Sequence, residues 1–163
     1  MQYNCNVNKT FSIVLYDVTL ALWVGGITIF TFIVTPAIFR SFDRDMAGRI
    51  VGTFFNGYFL YNLSLSVIAF MLAFIVWPDR AKSAFKITLL LIAAAIAVNL
   101  FVSFKLYPDI LAVKRQIVSF VTTPKDSPLR RQFTRMHVVS AVMNLFLLAD
   151  GVALLIIRAY RLK

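Results

Sequence analysis

Four stretches of the chain are apolar for long enough to cross a lipid bilayer: about 11–39, 54–77, 85–104 and 138–157. A helix needs roughly 20 mainly apolar residues to span about 30 Å of hydrocarbon. Because lipid offers no hydrogen bonds, a spanning segment must satisfy its own backbone, which a helix does. The turn Pro78-Asp79-Arg80-Ala81-Lys82-Ser83 is short enough to make the second and third helices antiparallel neighbours. Asp43 suits an N-cap, so the second helix is expected to begin early, partly outside the membrane. The stretch 105–136 is the only sizeable polar connection, with Pro108, Pro124 and Pro128. It reads as a basic loop in which 110–121 either forms an amphipathic interfacial helix, with Lys114 and Arg115 near lipid phosphates, or stays a solvated loop. The pattern predicts an all-α integral membrane protein, one four-helix antiparallel transmembrane bundle over residues 11–158.

Composition agrees with the bilayer as solvent. Of the 163 residues, 60% are hydrophobic and the mean hydropathy is +0.81, outside the balance of a water-soluble domain. The net charge is +10 and there is no Glu. The Lys and Arg flank apolar runs instead of forming a stripe of their own, which speaks for membrane topology and against nucleic acid as a partner. Ten of them fall on the side of 40–53 and 105–136, seven on the side of the termini, so the positive-inside rule places both termini outside the cytoplasm. A bacterial inner membrane is the expected location. The run from Phe11 is too long for a signal core and lacks a cleavage site, so it reads as a retained helix. The single cysteine, Cys5, excludes an intrachain disulfide.

Polar residues inside the apolar runs carry the information about function, because they are costly there. On the first helix, Asp17, Ala21, Val24, Thr28, Thr31 and Thr35 fall within about 40° of one line. This stripe is expected to face the interior and line a path for protons or small polar solutes; alternatively the threonines bond their own carbonyls. Pro36 marks a kink or the helix end, and Gly25-Gly26 permits close helix approach. Asp150, in the fourth helix, lies at a depth comparable to Asp17, so the two acids could share a proton. His137 opens the fourth helix with Ser140 and Asn144 on the same face. Thr31, Thr35, Asn56, Asn62 and Ser103 approach the same side, with Asn99 deeper. They form either a hydrogen-bonded cluster or a ligand site.

One His, one Cys and no Glu do not supply the ligands of a typical zinc or copper site. No cofactor is called for. A haem held by His137 is the alternative, needing a second histidine from another chain for bis-His ligation. No nucleophile sits in an activating motif, and glycine-rich phosphate loops are absent, so the chain reads as non-enzymatic.

The stretch Leu129-Arg130-Arg131-Gln132-Phe133-Thr134-Arg135-Met136-His137-Val138-Val139-Ser140-Ala141-Val142-Met143-Asn144-Leu145 resembles the signature of the transmembrane protein 205-like family, catalogued as domain of unknown function 4149. Leu129, Arg130, Phe133, His137, Ser140 and Asn144 meet its pattern. Further similarity runs through Trp23 to Phe39, Gly48, Phe55, Tyr58, Phe59, Asn99 and Pro108. The resemblance implies a four-helix membrane protein without an established activity; Tyr16-Asp17 stand about where the human relative has a histidine. Leu22-Trp23-Val24-Gly25-Gly26 is similar, more distantly, to copper-resistance D-type membrane proteins, which need histidines that this helix lacks.

These readings converge on a polar interior serving small-solute, proton or metal-related transport or export, with the bilayer and a homo-oligomer or larger membrane complex as surroundings. A haem- or quinone-associated redox component using His137, or a structural or assembly subunit, are the other classes left open.

Overall fold

The computed structural model describes residues 2–77 and 82–161, with side chains from Lys9 onward; the turn expected at Pro78 to Ala81 and the side chain of Cys5 lie outside the described residues. The described chain is almost entirely helical. Its elements are α1 (Gln2–Ile29), α2 (Thr35–Ser41), α3 (Arg44–Val76), α4 (Ser83–Phe101), α5 (Tyr107–Gln116) and α6 (Pro128–Tyr160). A π turn at Phe30–Val34 fuses α1 to α2, and another at Val102–Leu106 fuses α4 to α5. The result is four long rods in an antiparallel bundle. Lys9–Ser41, Arg44–Val76, Ser83–Gln116 and Pro128–Tyr160 are each long and apolar enough to cross a membrane, and they fit a multi-pass integral membrane protein.

The two π turns have the same cause. A proline inside a helix has no N–H to give and its ring presses on the carbonyl four residues back. Pro36 and Pro108 each sit two residues beyond a π turn. The residue before each proline reaches five residues back instead: the Thr35 N–H donates to the Phe30 carbonyl, and the Tyr107 N–H to the Val102 carbonyl. The wider turn relieves the clash and the rod continues. Pro36 therefore does not end the helix.

The rods are longer than hydropathy predicts, because their polar turns drop out of an apolar count. The second begins at Arg44, where the Asp43 carboxylate caps it by accepting from the backbone N–H of Asp45 and Met46 at 3.0 and 2.9 Å. The fourth begins at Pro128, whose missing N–H is harmless at a helix start. The largest correction concerns 105–136. Its first part is helical instead of a loop: the third rod runs on to Gln116 and stops where Ile117 turns extended. The Tyr107 hydroxyl donates to the Gly52 carbonyl at 2.8 Å and Lys114 Nζ to the Gly48 carbonyl at 2.6 Å. These bonds hold α5 upright against α3.

The core lies between the rods and is filled by Tyr16, Leu20, Trp23 and Ile27 of α1, Phe59 and Ala69 of α3, Ile92 and Ala95 of α4, and Leu147 and Leu154 of α6. Outward positions are equally apolar, including Phe32, Met71, Leu90 and Val142. Rods hydrophobic on all sides suit a lipid surrounding and would be a liability in water.

Candidate functional site: a polar interior and a cationic cavity

The polar line on α1 faces α6. Asp17 accepts from Arg158 Nε at 2.8 Å and Nη2 at 3.3 Å; an added Cβ at Gly151 would lie 2.8 Å from Val24 Cγ2; Asn144 Nδ2 donates to Thr31 Oγ1 at 2.8 Å. Each step of seven along α1 is matched by a step of seven back along α6. This is an antiparallel heptad seam, in which one face of each helix stays on its partner. The same register brings Thr35 to the level of Ser140. Thr28 instead turns back on its own helix, bonding the Val24 carbonyl at 2.7 Å.

Asp17 and Asp150 therefore do not meet as a proton-sharing pair. Asp17 is taken by Arg158, a two-pronged charge-assisted contact. Asp150 stays within α6, 4% exposed, with no hydrogen-bond partner for either carboxylate oxygen. Tyr16 lies near enough to Asp17, Asp150 and Arg158 to feel the charge of each.

Other polar groups extend this interior toward the opposite end. The Tyr58 hydroxyl donates to Asn144 Oδ1 at 2.5 Å, so Thr31, Asn144 and Tyr58 tie three rods together. Asn62 and Asn99 are fully buried; each gives its amide to the carbonyl four residues back, at 3.0 Å, and each leaves its oxygen without a partner. Ser103 Oγ is buried and unpartnered as well. Buried polar atoms are normally satisfied, so such a group of orphans calls for an explanation. Along α6, Ser140, Asn144, Asp150 and Arg158 span about 27 Å at 1.5 Å per residue, close to the thickness of the hydrocarbon core.

Above Ser140, at the end where α2 meets α3 and α5 approaches α6, lies a cavity of about 350 Å³. Phe39, Phe55, Tyr107, Ile110, Leu111, Phe120 and Phe133 make most of its wall, with Arg44, Lys114, Arg130, Thr134, His137 and Ser140 as its polar members beside Gly48 and Gly52. Nothing acidic lines it. The segment after α5 is latched across it by Asp45, which accepts from Ser119 Oγ at 2.5 Å and the Phe120 N–H at 2.7 Å. Phe120 packs tilted against Phe133, with centroids 4.8 Å and planes 59° apart, and Phe133 lies parallel to His137 at 5.9 Å. Arg130 is buried, donates to the Thr123 carbonyl and sits 5.8 Å from the Phe120 centroid. Of the two glycines, Gly52 is the tighter: a Cβ there would come within 3.3 Å of Lys114 Nζ, against 3.8 Å at Gly48.

The model of the domain of unknown function DUF4149 matches residues 18–119, well over half of the chain. The chain belongs to the DUF4149 family. No curated protein and no solved structure matches it. The DUF4149 match takes in Thr28, Thr31, Thr35, Tyr58, Asn99 and Lys114 and stops before α6. His137, Ser140, Asn144 and Asp150 lie outside it, as does the whole stretch from Leu129 to Leu145.

Of the residues singled out from the sequence of this DUF4149 protein, Thr31 and Asn144 are brought into direct contact, and His137 and Ser140 line one cavity. Asn99 is in the core, while Asp17 belongs to the opposite end with Arg158. No group of three or more His, Cys or Asp able to hold a metal ion occurs among the described residues. The sequence does not reveal that Tyr58 and Arg158 bond across to Asn144 and Asp17, or that Arg44, Lys114 and Arg130 share one cavity. Arg158 reaches the Asp17 level because a long side chain on α6 points back toward the helix start. The glycines four apart, Gly48 and Gly52, were the available signal for close approach by α5.

Proposed function

We propose that the protein moves protons, alone or with a small polar solute, through the centre of the bundle, and that Asp150 is the station at which the proton is bound. The single observation that supports this most is the Asp150 carboxylate, buried among apolar rods with neither oxygen hydrogen-bonded. An ionisable group in such a place is costly and is characteristic of ion and proton paths. Ser140, Asn144 with Thr31 and Tyr58, Asn62 and Asn99 lie between Asp150 and the cavity, and Tyr16 and the Asp17–Arg158 pair lie on its other side. Gaps of about 6–12 Å along α6 separate these levels, distances that one to three water molecules bridge between polar side chains. His137 and Ser140 then mark the cavity-side mouth.

On this reading the protein sits in a bacterial inner membrane with the cavity end, richer in Lys and Arg, toward the cytoplasm. Kinship of α6 with transmembrane protein 205-like proteins, and more remotely with copper-resistance D-type proteins, belongs to the same proposal. Metal transport receives no support from the side chains present, and a haem at His137 has no second histidine in this chain.

Proteoliposomes enclosing a pH-sensitive dye test the reading. Under an imposed pH difference with a potassium diffusion potential to balance charge, vesicles holding the protein are expected to dissipate the gradient faster than protein-free vesicles of the same lipid. Equal rates across a range of protein densities would refute proton movement.

A further inference from the structure

The cavity at the loop end has the layout of a site for one particular kind of molecule. Arg44 is the first residue of α3, Arg130 the third of α6, and Lys114 lies two residues from the end of α5, so three cations gather at its outer rim. Phe55 of α3 and Ser140 of α6 lie about 15 Å further toward the membrane centre. Between the two levels the wall is aromatic and aliphatic. The rim is therefore positive and the depth apolar, the orientation in which an anionic amphiphile lies in a leaflet.

The cations are not used up by the protein. Lys114 spends one of its three N–H bonds on the Gly48 carbonyl. Arg130, buried, gives one guanidinium nitrogen to the Thr123 carbonyl and keeps others. Arg44 makes no hydrogen bond or ion pair among the described residues. The carboxylates about the rim have partners of their own: Asp45 accepts from Ser119 and the Phe120 backbone, Asp43 caps α3, and Asp126 pairs with Arg131 at 3.4 Å. In contrast, Lys105 on the same rod has its own acid, Asp109, at 3.0 Å. Three cations about one cavity with no acid in its wall repel one another, and an anion among them removes that cost.

We infer that this cavity binds an anionic phospholipid of the surrounding leaflet, its phosphate among Arg44, Lys114 and Arg130 and an acyl chain along Phe55, Tyr107 and Leu111. The latch of Asp45 on Ser119 and Phe120 closes the site over the bound lipid. A lipid is the occupant that the place favours, since the rim lies where apolar helices give way to polar turns, the depth of headgroups in a bilayer. The inference does not depend on proton movement.

Native mass spectrometry of the full chain, released from detergent in the presence of equimolar phosphatidylglycerol and phosphatidylcholine, tests it. Preference for the anionic lipid is expected, falling about fivefold for each cation removed in Arg44→Gln and Lys114→Met. Arg161→Gln, at the opposite end, should leave the preference unchanged. Arg44→Gln breaks no bond of the fold, so it remains informative if Lys114→Met misfolds. Equal retention of the two lipids, or a preference unaltered in Arg44→Gln, would overturn the inference. So would displacement of phosphatidylglycerol by equimolar decanoate, which would identify a soluble lipophilic acid as the ligand.

Discussion

The two ends of the bundle treat their positive charges differently. At the end of the chain termini, Arg158 is spent on Asp17 in a two-pronged contact, and Arg161 lies 3.6 Å above the centre of the Trp77 ring. Cation and partner close that end. At the loop end, Arg44, Lys114 and Arg130 surround a cavity with no acid in its wall. The difference separates cations matched inside the bundle by a carboxylate or a close ring from cations whose hydrogen bonds go to a backbone carbonyl at most. It also predicts that equivalent substitutions at the two ends have unequal consequences for stability.

The largest effect is expected for Arg158→Ala. Removing the guanidinium leaves Asp17 as an unpaired carboxylate between rods, a loss on the order of 2 kcal/mol, less than for a fully buried pair because the Asp17 side chain is 39% exposed. Unfolding in mixed micelles would measure it, and Asp17→Asn placed on top of Arg158→Ala should recover part of the loss. If Arg158→Ala costs no more than Arg44→Ala, the two ends do not differ in the way described. Gly151→Ala, on the same seam, forces a methyl to within 2.8 Å of Val24 Cγ2 and should cost about 1–2 kcal/mol. Val24→Ala should rescue it. At the neighbouring glycines of α1 the geometry separates two positions that look alike in sequence. A Cβ on Gly26 would meet Tyr61 Cε1 at 2.8 Å, whereas one on Gly25 has no atom within 4 Å. Gly25→Ala should therefore be tolerated where Gly26→Ala is not.

Smaller effects are expected at the loop end. Lys114→Met removes the bond to Gly48 and should cost about 1 kcal/mol. Arg44→Gln touches no internal partner and should change stability by no more than about 0.5 kcal/mol. A cost for Arg44→Gln as large as for Arg158→Ala would mean that the rim cations are structural after all.

The sequence reveals the four-rod architecture because length and hydropathy are all that a bilayer demands of a spanning helix. The polar line on α1 was equally legible, since a step of seven places Asp17, Val24 and Thr31 on one face; its partner was not. That Asp17 pairs with Arg158 and leaves Asp150 alone depends on the register between α1 and α6, which no single helix encodes. The upright α5 was hidden for another reason. Pro108 and the basic residues after it look like the beginning of a loop, and only the preceding π turn, with Tyr107 and Lys114 bonded to the Gly52 and Gly48 carbonyls, lets the rod continue. The cavity follows from that continuation, so no single segment of the sequence brings its three cations together.

The central claim, that Asp150 is the proton station of the interior, is tested most directly by proton flux through proteoliposomes containing Asp150→Asn beside the unaltered protein, at matched density and with matched helical content by circular dichroism. Asn keeps the size of the side chain and cannot exchange a proton. The account predicts that flux falls to the level of protein-free vesicles while the bundle stays folded. Flux through Asp150→Asn equal to that of the unaltered protein would contradict it.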